Sequence, residues 1–230
     1  MSMTILGLGT ARPAGSISQK DAAALAHRWC CRTPRQRRML AAVYRQSGIN
    51  TRASVLLGPG NGDGASGTEE DGGAANTQTL RAFFPPPDRE RRHGPTVGQR
   101  MRRYVEEAMP LAVAAARSAL DEARFEPTDI SQLITVSCTG FSAPGLDIKL
   151  IDALGLHRTV GRTMIGFMGC HGAINGLRVA AALAANQGGA PVLLCAVEMC
   201  SLHFQYGWDQ QKVLANALFA DGAAALVGVA

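Results

Sequence analysis

From residue 132 onward the chain is punctuated so regularly that few architectures can hold it. Apolar runs at residues 132–138, 162–167, 191–198 and 223–229 alternate with helix-patterned segments at 146–154, 170–187 and 210–218. Gly155 and the Gly188-Gly189 pair stand where the first two of these helices must stop, as glycine does at helix ends. Runs such as Val192 to Val197 are nearly all apolar, which suits strands covered on both faces. Strands separated by helices at this spacing predict a layered α/β domain around a mostly parallel sheet.

The first half of the chain predicts elements that feed this core. A strand over residues 4–8 runs into Gly9-Thr10-Ala11-Arg12-Pro13, read as a turn. Ser18 caps a helix in which Ala22, Leu25, Ala26 and Trp29 recur at three- and four-residue spacing. A second helix starts at Pro34 and is closed near Ser47-Gly48. Residues 57–78 turn to Gly, Asn, Asp, Ser and Glu, too little apolar surface to offset the entropy of ordering, and predict a flexible insert. A phosphate loop is the sharper reading of those glycines, but it is disfavoured because no Gly-Lys-Ser/Thr follows them. Thr96 then caps a long helix to about Arg124, with a kink expected at Pro110. The predicted organisation is residues 1–56, a strand and helices; 57–78, the insert; and 79–230, the remainder of the same domain.

Charge and composition narrow the function classes. Hydrophobic residues make up 47% and charged residues 18%, which excludes disorder throughout. The net charge of +5 comes mostly from arginines at 32–52 and 81–103, and with 5% aromatic residues there is little to stack nucleic-acid bases. An arginine cluster fits a phosphate-bearing small molecule, and equally a solvated basic face. The six cysteines form no CxxC pair, so neither a zinc site nor a secreted disulfide framework is expected, and the compartment reads as reducing. The amino end lacks the basic lead-in of a signal peptide, and polar residues break every long apolar stretch. A cytoplasmic, soluble chain with no membrane or nucleic-acid partner is the expectation.

The segment that carries chemistry is Arg162-Thr-Met-Ile-Gly-Phe-Met-Gly-Cys170-His-Gly-Ala-Ile-Asn. An apolar strand passes through Gly169 into a helix whose predicted first residue is Cys170. There the positive end of the helix dipole and the first-turn N–H groups favour an anionic sulfur. Gly169 and Gly172 would let a thioester carbonyl approach those amides closely enough to form an oxyanion hole. On this spacing alone, a buried structural cysteine at a helix start is the favoured reading, and only the wider sequence reverses it. His171 would point roughly 100° around the helix from Cys170, a poor direction for a base. His27, His93 and His157 read as surface or turn residues.

Successive landmarks widen the view: Val136-Ser-Cys-Thr-Gly-Phe-Ser-Ala-Pro-Gly-Leu-Asp, the cysteine segment, Val197-Glu-Met-Cys-Ser-Leu-His-Phe, and Ala217-Leu-Phe-Ala-Asp-Gly-Ala-Ala-Ala. In order and spacing these resemble the type III polyketide synthases of the chalcone and stilbene synthase family, from about Phe84 to the end and more loosely before it. The resemblance implies the N-terminal half of a thiolase-like fold. It implies that Cys170 is the acyl-accepting nucleophile, that Phe219 is the gatekeeper between a coenzyme A tunnel and the pocket, and that Cys138, Thr139, Cys200 and His203 line the starter pocket. Ala143 stands where plant members place a methionine that reaches into the partner's cavity. Basic residues of an early helix would hold coenzyme A, with Arg37, Arg38, Arg45 and Arg52 as candidates.

The same resemblance implies acyl-CoA and malonyl-CoA as substrates, no further cofactor, and a homodimer. It also assigns decarboxylation and enolate stabilisation to a histidine and an asparagine of a second, similar half, which these residues do not contain. The expectation is a chain acylated at Cys170 at best, with a large apolar face where that half would pack. Two alternatives stand beside it: a 3-oxoacyl carrier-protein synthase III-like condensing enzyme, and a non-catalytic, partner-dependent half.

Overall fold

A computed structural model describes residues 3–58, 77–87 and 94–230. The centre of the predicted insert, residues 59–76, lies outside the described residues, as do Arg89, Arg91, Arg92 and His93. At the insert's margins Leu57 and Thr77 are buried. The chain divides into two compact units, one comprising Met1–Arg12, Met101–Glu198 and Gly222–Ala230, the other Pro13–Arg100 and Met199–Asp221.

The first unit is built on a five-stranded, mostly parallel sheet of order β1-β7-β6-β4-β5, from β1 (Thr4–Ala11), β4 (Gln132–Ser137), β5 (Gly161–Gly166), β6 (Val192–Met199) and β7 (Asp221–Val229). Strand β4 runs parallel to both β5 and β6, while β1 lies antiparallel to β7. The thiolase-like α/β expectation holds. Helix α4 (Val97–Ala123), α5 (Leu146–Leu154) and α6 (Gly172–Asn186) complete the layers. Gly155 ends α5 in the left-handed conformation with φ +77°, as the sequence predicts.

Two expectations change here. Strand β1 does not stop at Leu8 but continues to Ala11, because Gly9, Thr10 and Ala11 pair with Ala225, Ala224 and Ala223 of β7. Gly9, which read as part of a turn, and Gly7, inside the predicted strand, are both close-approach positions. A Cβ on Gly7 would lie 2.2 Å from the Ala119 carbonyl oxygen, and one on Gly9 2.0 Å from that of Ala115, so α4 crosses directly over the strand. Its buried face is small, with Ala108, Ala112, Ala115, Ala116 and Ala119. Helix α4 is the single long helix that the sequence predicts, with Pro110 inside it.

The second unit holds α1 (Gln19–Cys30), α2 (Pro34–Gln46), α3 (Gln78–Phe83), α7 (Gln210–Leu218) and the short antiparallel pair β2 (Ser16–Ser18) and β3 (Thr51–Ala53). Ser18 accepts from the Asp21 N–H at the start of α1, and Thr33 forms a reciprocal capping box with Gln36 at the start of α2. An aromatic cluster of Trp29, Phe84, Phe204 and Tyr206 fills the core, with ring centroids 5.3–6.3 Å apart. The Arg100 guanidinium lies 5.3 Å from the centroid of the Phe84 ring and donates to the carbonyls of Pro95 and Leu202.

Candidate active site

The position of Cys170 follows from how closely α6 can approach the sheet. The residues this helix buries are all small: Gly172, Gly176, Ala180 and Ala184, one per turn. A Cβ on Gly172 would fall 2.9 Å from Val136 Cγ1, and one on Gly176 2.7 Å from Leu194 Cδ1. Beneath the helix lies a closed apolar cluster of Ile134, Val192, Leu194 and Leu226. The N-terminus of α6 is thereby pressed onto the end of β4.

Between β5 and α6 the chain makes a sharp turn. Phe167 adopts φ +58° and Gly169 φ +58°, a region that costs a residue with a side chain roughly 1–2 kcal/mol. Cys170 is not the first residue of the α-helix, as the sequence predicts. It sits in a 3₁₀ turn, Gly169–His171, whose last bond runs from the Gly172 N–H to the Gly169 carbonyl. The left-handed glycine tightens the chain before the α-helix can begin. Cys170 is exposed, as is His171 beside it.

Cys138 and Thr139 follow directly on β4 and are brought to this turn. The Cys138 thiol donates to the Gly169 carbonyl at 3.5 Å. The Cys138 and Thr139 N–H groups and the Thr139 hydroxyl all converge on the Glu198 carboxylate, at 2.6–3.1 Å. Glu198, inside the quoted Val-Glu-Met-Cys motif, carries no expectation from sequence; the signal was an acid embedded in an otherwise apolar strand. Behind it the buried Tyr104 hydroxyl donates to Ser137 Oγ at 2.8 Å, and burial pushes that phenol up to about 12. A Cβ on Gly140 would lie 2.1 Å from the Tyr104 ring, so this loop too needs glycine.

Around the turn the first unit exposes large apolar side chains: Phe167 at 76%, Met168, Met164, Ile174, and Phe141, whose ring packs edge-on against Phe167. On the opposite edge strand Ile5, Leu6 and Leu8 are also exposed. Both groups belong to the unit that carries Cys170.

The remaining candidates belong to the second unit. Cys200 and His203 open and close a 3₁₀ turn, Cys200–His203. Phe219 is the C-cap of α7 and half-exposed. Between them lies a second carboxylate with no role assigned from sequence: Asp221 accepts from the Ser201 N–H and hydroxyl and from the Val55 N–H, at 2.6–2.9 Å. Burial raises its carboxyl above the ordinary carboxylate range despite these bonds.

Of the arginine candidates, Arg37, Arg38 and Arg45 are exposed on α2. Arg52 differs. Its guanidinium donates to Gln19 Oε1 and to the carbonyls of Asn216 and Phe219, and lies 5.7 Å from the centroid of the Tyr44 ring. It is committed to holding α7 and Phe219 in place. Among the described residues no cluster of His, Cys, Asp and Glu could hold a metal ion, and no helix is long and apolar enough to cross a membrane.

Comparison with known proteins gives the family. Residues 84–230 match the family model for the N-terminal domain of chalcone and stilbene synthases. The chain is 31% identical over 223 residues to the alpha-pyrone synthesis polyketide synthase-like Pks18 of Mycobacterium tuberculosis, covering 97% of this chain and 50% of that protein. It is 30% identical to type III polyketide synthase C of Arabidopsis thaliana, covering 97% of this chain and 53% of that one. Among solved structures, PKS-I of the brown alga Ectocarpus siliculosus superposes with a TM-score of 0.80 at 33% identity, over 98% of this chain and 55% of that one. The 1,3,6,8-tetrahydroxynaphthalene synthase of Streptomyces coelicolor does so with a TM-score of 0.78 at 27% identity, over 97% and 56%. The chain thus spans about half the length of the relatives it matches.

Proposed function

Because the chain belongs to the chalcone and stilbene synthase family, we propose that it is the cysteine-bearing half of a type III polyketide synthase and that Cys170 is its acyl acceptor. The observation that carries this reading is the exposed sulfur in a 3₁₀ turn at the head of a fifteen-residue helix held against the sheet by Gly172 and Gly176. The sulfur attacks the carbonyl of an acyl-CoA, coenzyme A leaves as its thiol, and the acyl group remains as a thioester. Malonyl-CoA then loses CO₂, and the resulting enolate carbon attacks that thioester and frees the sulfur.

Each remaining residue takes a role consistent with its setting. Cys138 and Thr139 in one unit, and Cys200 and His203 in the other, are each assigned to starter binding, with Glu198 fixing the backbone of the first two. Phe219 gates the entrance. Arg37, Arg38 and Arg45, exposed on α2, are assigned to the phosphates of coenzyme A, whereas Arg52 serves as a strut. The histidine and asparagine that stabilise the enolate in the family match no position in these 230 residues. These residues alone are therefore expected to be acylated without releasing a polyketide, since loss of one oxyanion donor already costs about 10²- to 10³-fold. A homodimer, and a second half seated on the apolar surface around Phe167, complete the proposed assembly. The free cysteines suit a reducing cytoplasm.

The test is intact-mass and peptide analysis after incubation with a medium-chain acyl-CoA. Tryptic peptide 163–178 contains Cys170 as its single cysteine and is expected to carry the acyl group, with none in Cys170→Ala. Acylation at another cysteine, or none at Cys170 in folded protein, overturns the assignment. Acyl transfer from an acyl-carrier protein but not from acyl-CoA would instead favour a carrier-dependent condensing enzyme.

A further inference from the structure

The turn that carries Cys170 is contacted from beneath by a second thiol, and acyl transfer itself does not require one. Cys138 Sγ lies 3.5 Å from the Gly169 carbonyl oxygen, and that carbonyl carbon is bonded to the nitrogen of Cys170. The same sulfur lies 3.9 Å from where a Cβ on Gly172 would stand, so it sits under the single turn 169–172 with no side chain from Gly169 or Gly172 in the way. Both cysteines are free thiols; Cys170 is exposed and Cys138 partly so. The other thiols are differently placed. Cys195 is fully buried against the Ala112 carbonyl, and Cys30, Cys31 and Cys200 belong to the other unit.

From this placement we infer that Cys138 and Cys170 form an oxidative cross-link site, with Cys138 as the resolving thiol. A peroxide oxidises the exposed Cys170 thiol to the sulfenic acid and is reduced to water. The Cys138 sulfur attacks the sulfenic sulfur, the S–O bond breaks, and hydroxide leaves and takes up the Cys138 proton as a second water. Two thiols have then lost two electrons and two protons, and peroxide has become two waters. The Cys138 thiol must swing from the Gly169 carbonyl to do this. That carbonyl keeps its bond from the Gly172 N–H, so the turn survives the exchange. The product is a disulfide that dithiol reductants reverse, and it shields Cys170 from irreversible oxidation. On the reading that Cys170 is the acyl acceptor, it is also a reversible off-state of the enzyme.

The experiment uses the whole reduced chain, treated with hydrogen peroxide, blocked with N-ethylmaleimide and digested with trypsin. Cys138 falls in peptide 125–149 and Cys170 in peptide 163–178, each alone. The expected result is a linked pair of these peptides, lighter by about 2 Da than their sum for the two hydrogens lost, which dithiothreitol dissolves. In Cys138→Ser the expected result is sulfinic acid at Cys170 that dithiothreitol does not reverse. Wild-type protein in which Cys170 is oxidised irreversibly while Cys138 still takes up maleimide overturns the inference, as does a link from Cys170 to any other cysteine. The wild-type result needs no variant to fold. Cross-linking without acylation would sink the acyl-acceptor reading alone, and acylation without cross-linking would sink this one alone.

Discussion

Gly172 and Val136 are packed so closely that a single added carbon on the helix would come within 2.9 Å of Val136 Cγ1. This contact decides where the head of α6, and with it Cys170, meets the sheet. The helix cannot move outward without opening the apolar cluster of Ile134, Leu194 and Leu226 beneath it.

Gly172→Ala should therefore destabilise the fold by about 1–3 kcal/mol, the usual cost of overpacking. Gly176→Ala, set against Leu194, should do the same. Ala173→Ser, at an exposed position on the same helix, should change stability little. Urea unfolding of the three variants checks the ranking, and equal midpoints would show that α6 is not pinned by its glycines.

Glu198 receives three donors from the loop after β4. In Glu198→Gln one oxygen becomes an NH₂ group facing those same donors, so at least one of them is left unsatisfied. The expected loss is about 1–3 kcal/mol of stability, together with slower acylation of Cys170, since the loop that contacts its turn is loosened. Intact-mass acylation rates and denaturant midpoints report the two effects separately. Wild-type values for both would remove Glu198 from the site.

Burial raises the Asp221 carboxyl above its ordinary range. The folded chain then binds this proton more tightly than the unfolded chain. Between the ordinary value of about 3.9 and the raised folded value, the native state holds more protons, so Asp221's contribution to stability falls as pH rises through that window. Asp221→Asn removes this term. Relative to the variant, wild type should lose stability from its acid side toward neutrality across the window. Parallel curves of urea midpoint against pH for the two proteins would contradict the assignment. Above that window, where the carboxylate is ionised, the variant also presents an amide where Ser201 and Val55 donate, which offsets part of its gain.

Burial pushes the thiols of Cys30 and Cys195 up to about 12. Near pH 8 neither should react with a disulfide reagent in the folded chain, while exposed Cys170 should react first. Stopped-flow titration with Ellman's reagent, before and after adding denaturant, separates the two sets. Fast labelling of Cys195 in folded protein would show that the β6 core opens.

Much of the architecture was legible because it is encoded locally. The caps at Ser18 and Thr33, the left-handed Gly155 that closes α5, and the bounds of α7 depend on residues within one or two turns of each other. The nucleophile too could be picked out from its own segment and from the order of the flanking motifs. What the sequence could not determine were relationships between residues far apart in it. Gly9 read as a turn former, and Gly7 as an ordinary strand residue, until Ala115 and Ala119 of α4, more than a hundred residues later, were seen to lie on them. Arg52 was indistinguishable from Arg37 and Arg38 until Asn216 and Phe219 came within reach of its guanidinium. Glu198 and Asp221 lay inside quoted motifs without a role, because the value of a buried carboxylate lies in the donors that converge on it, and only tertiary packing brings those donors there.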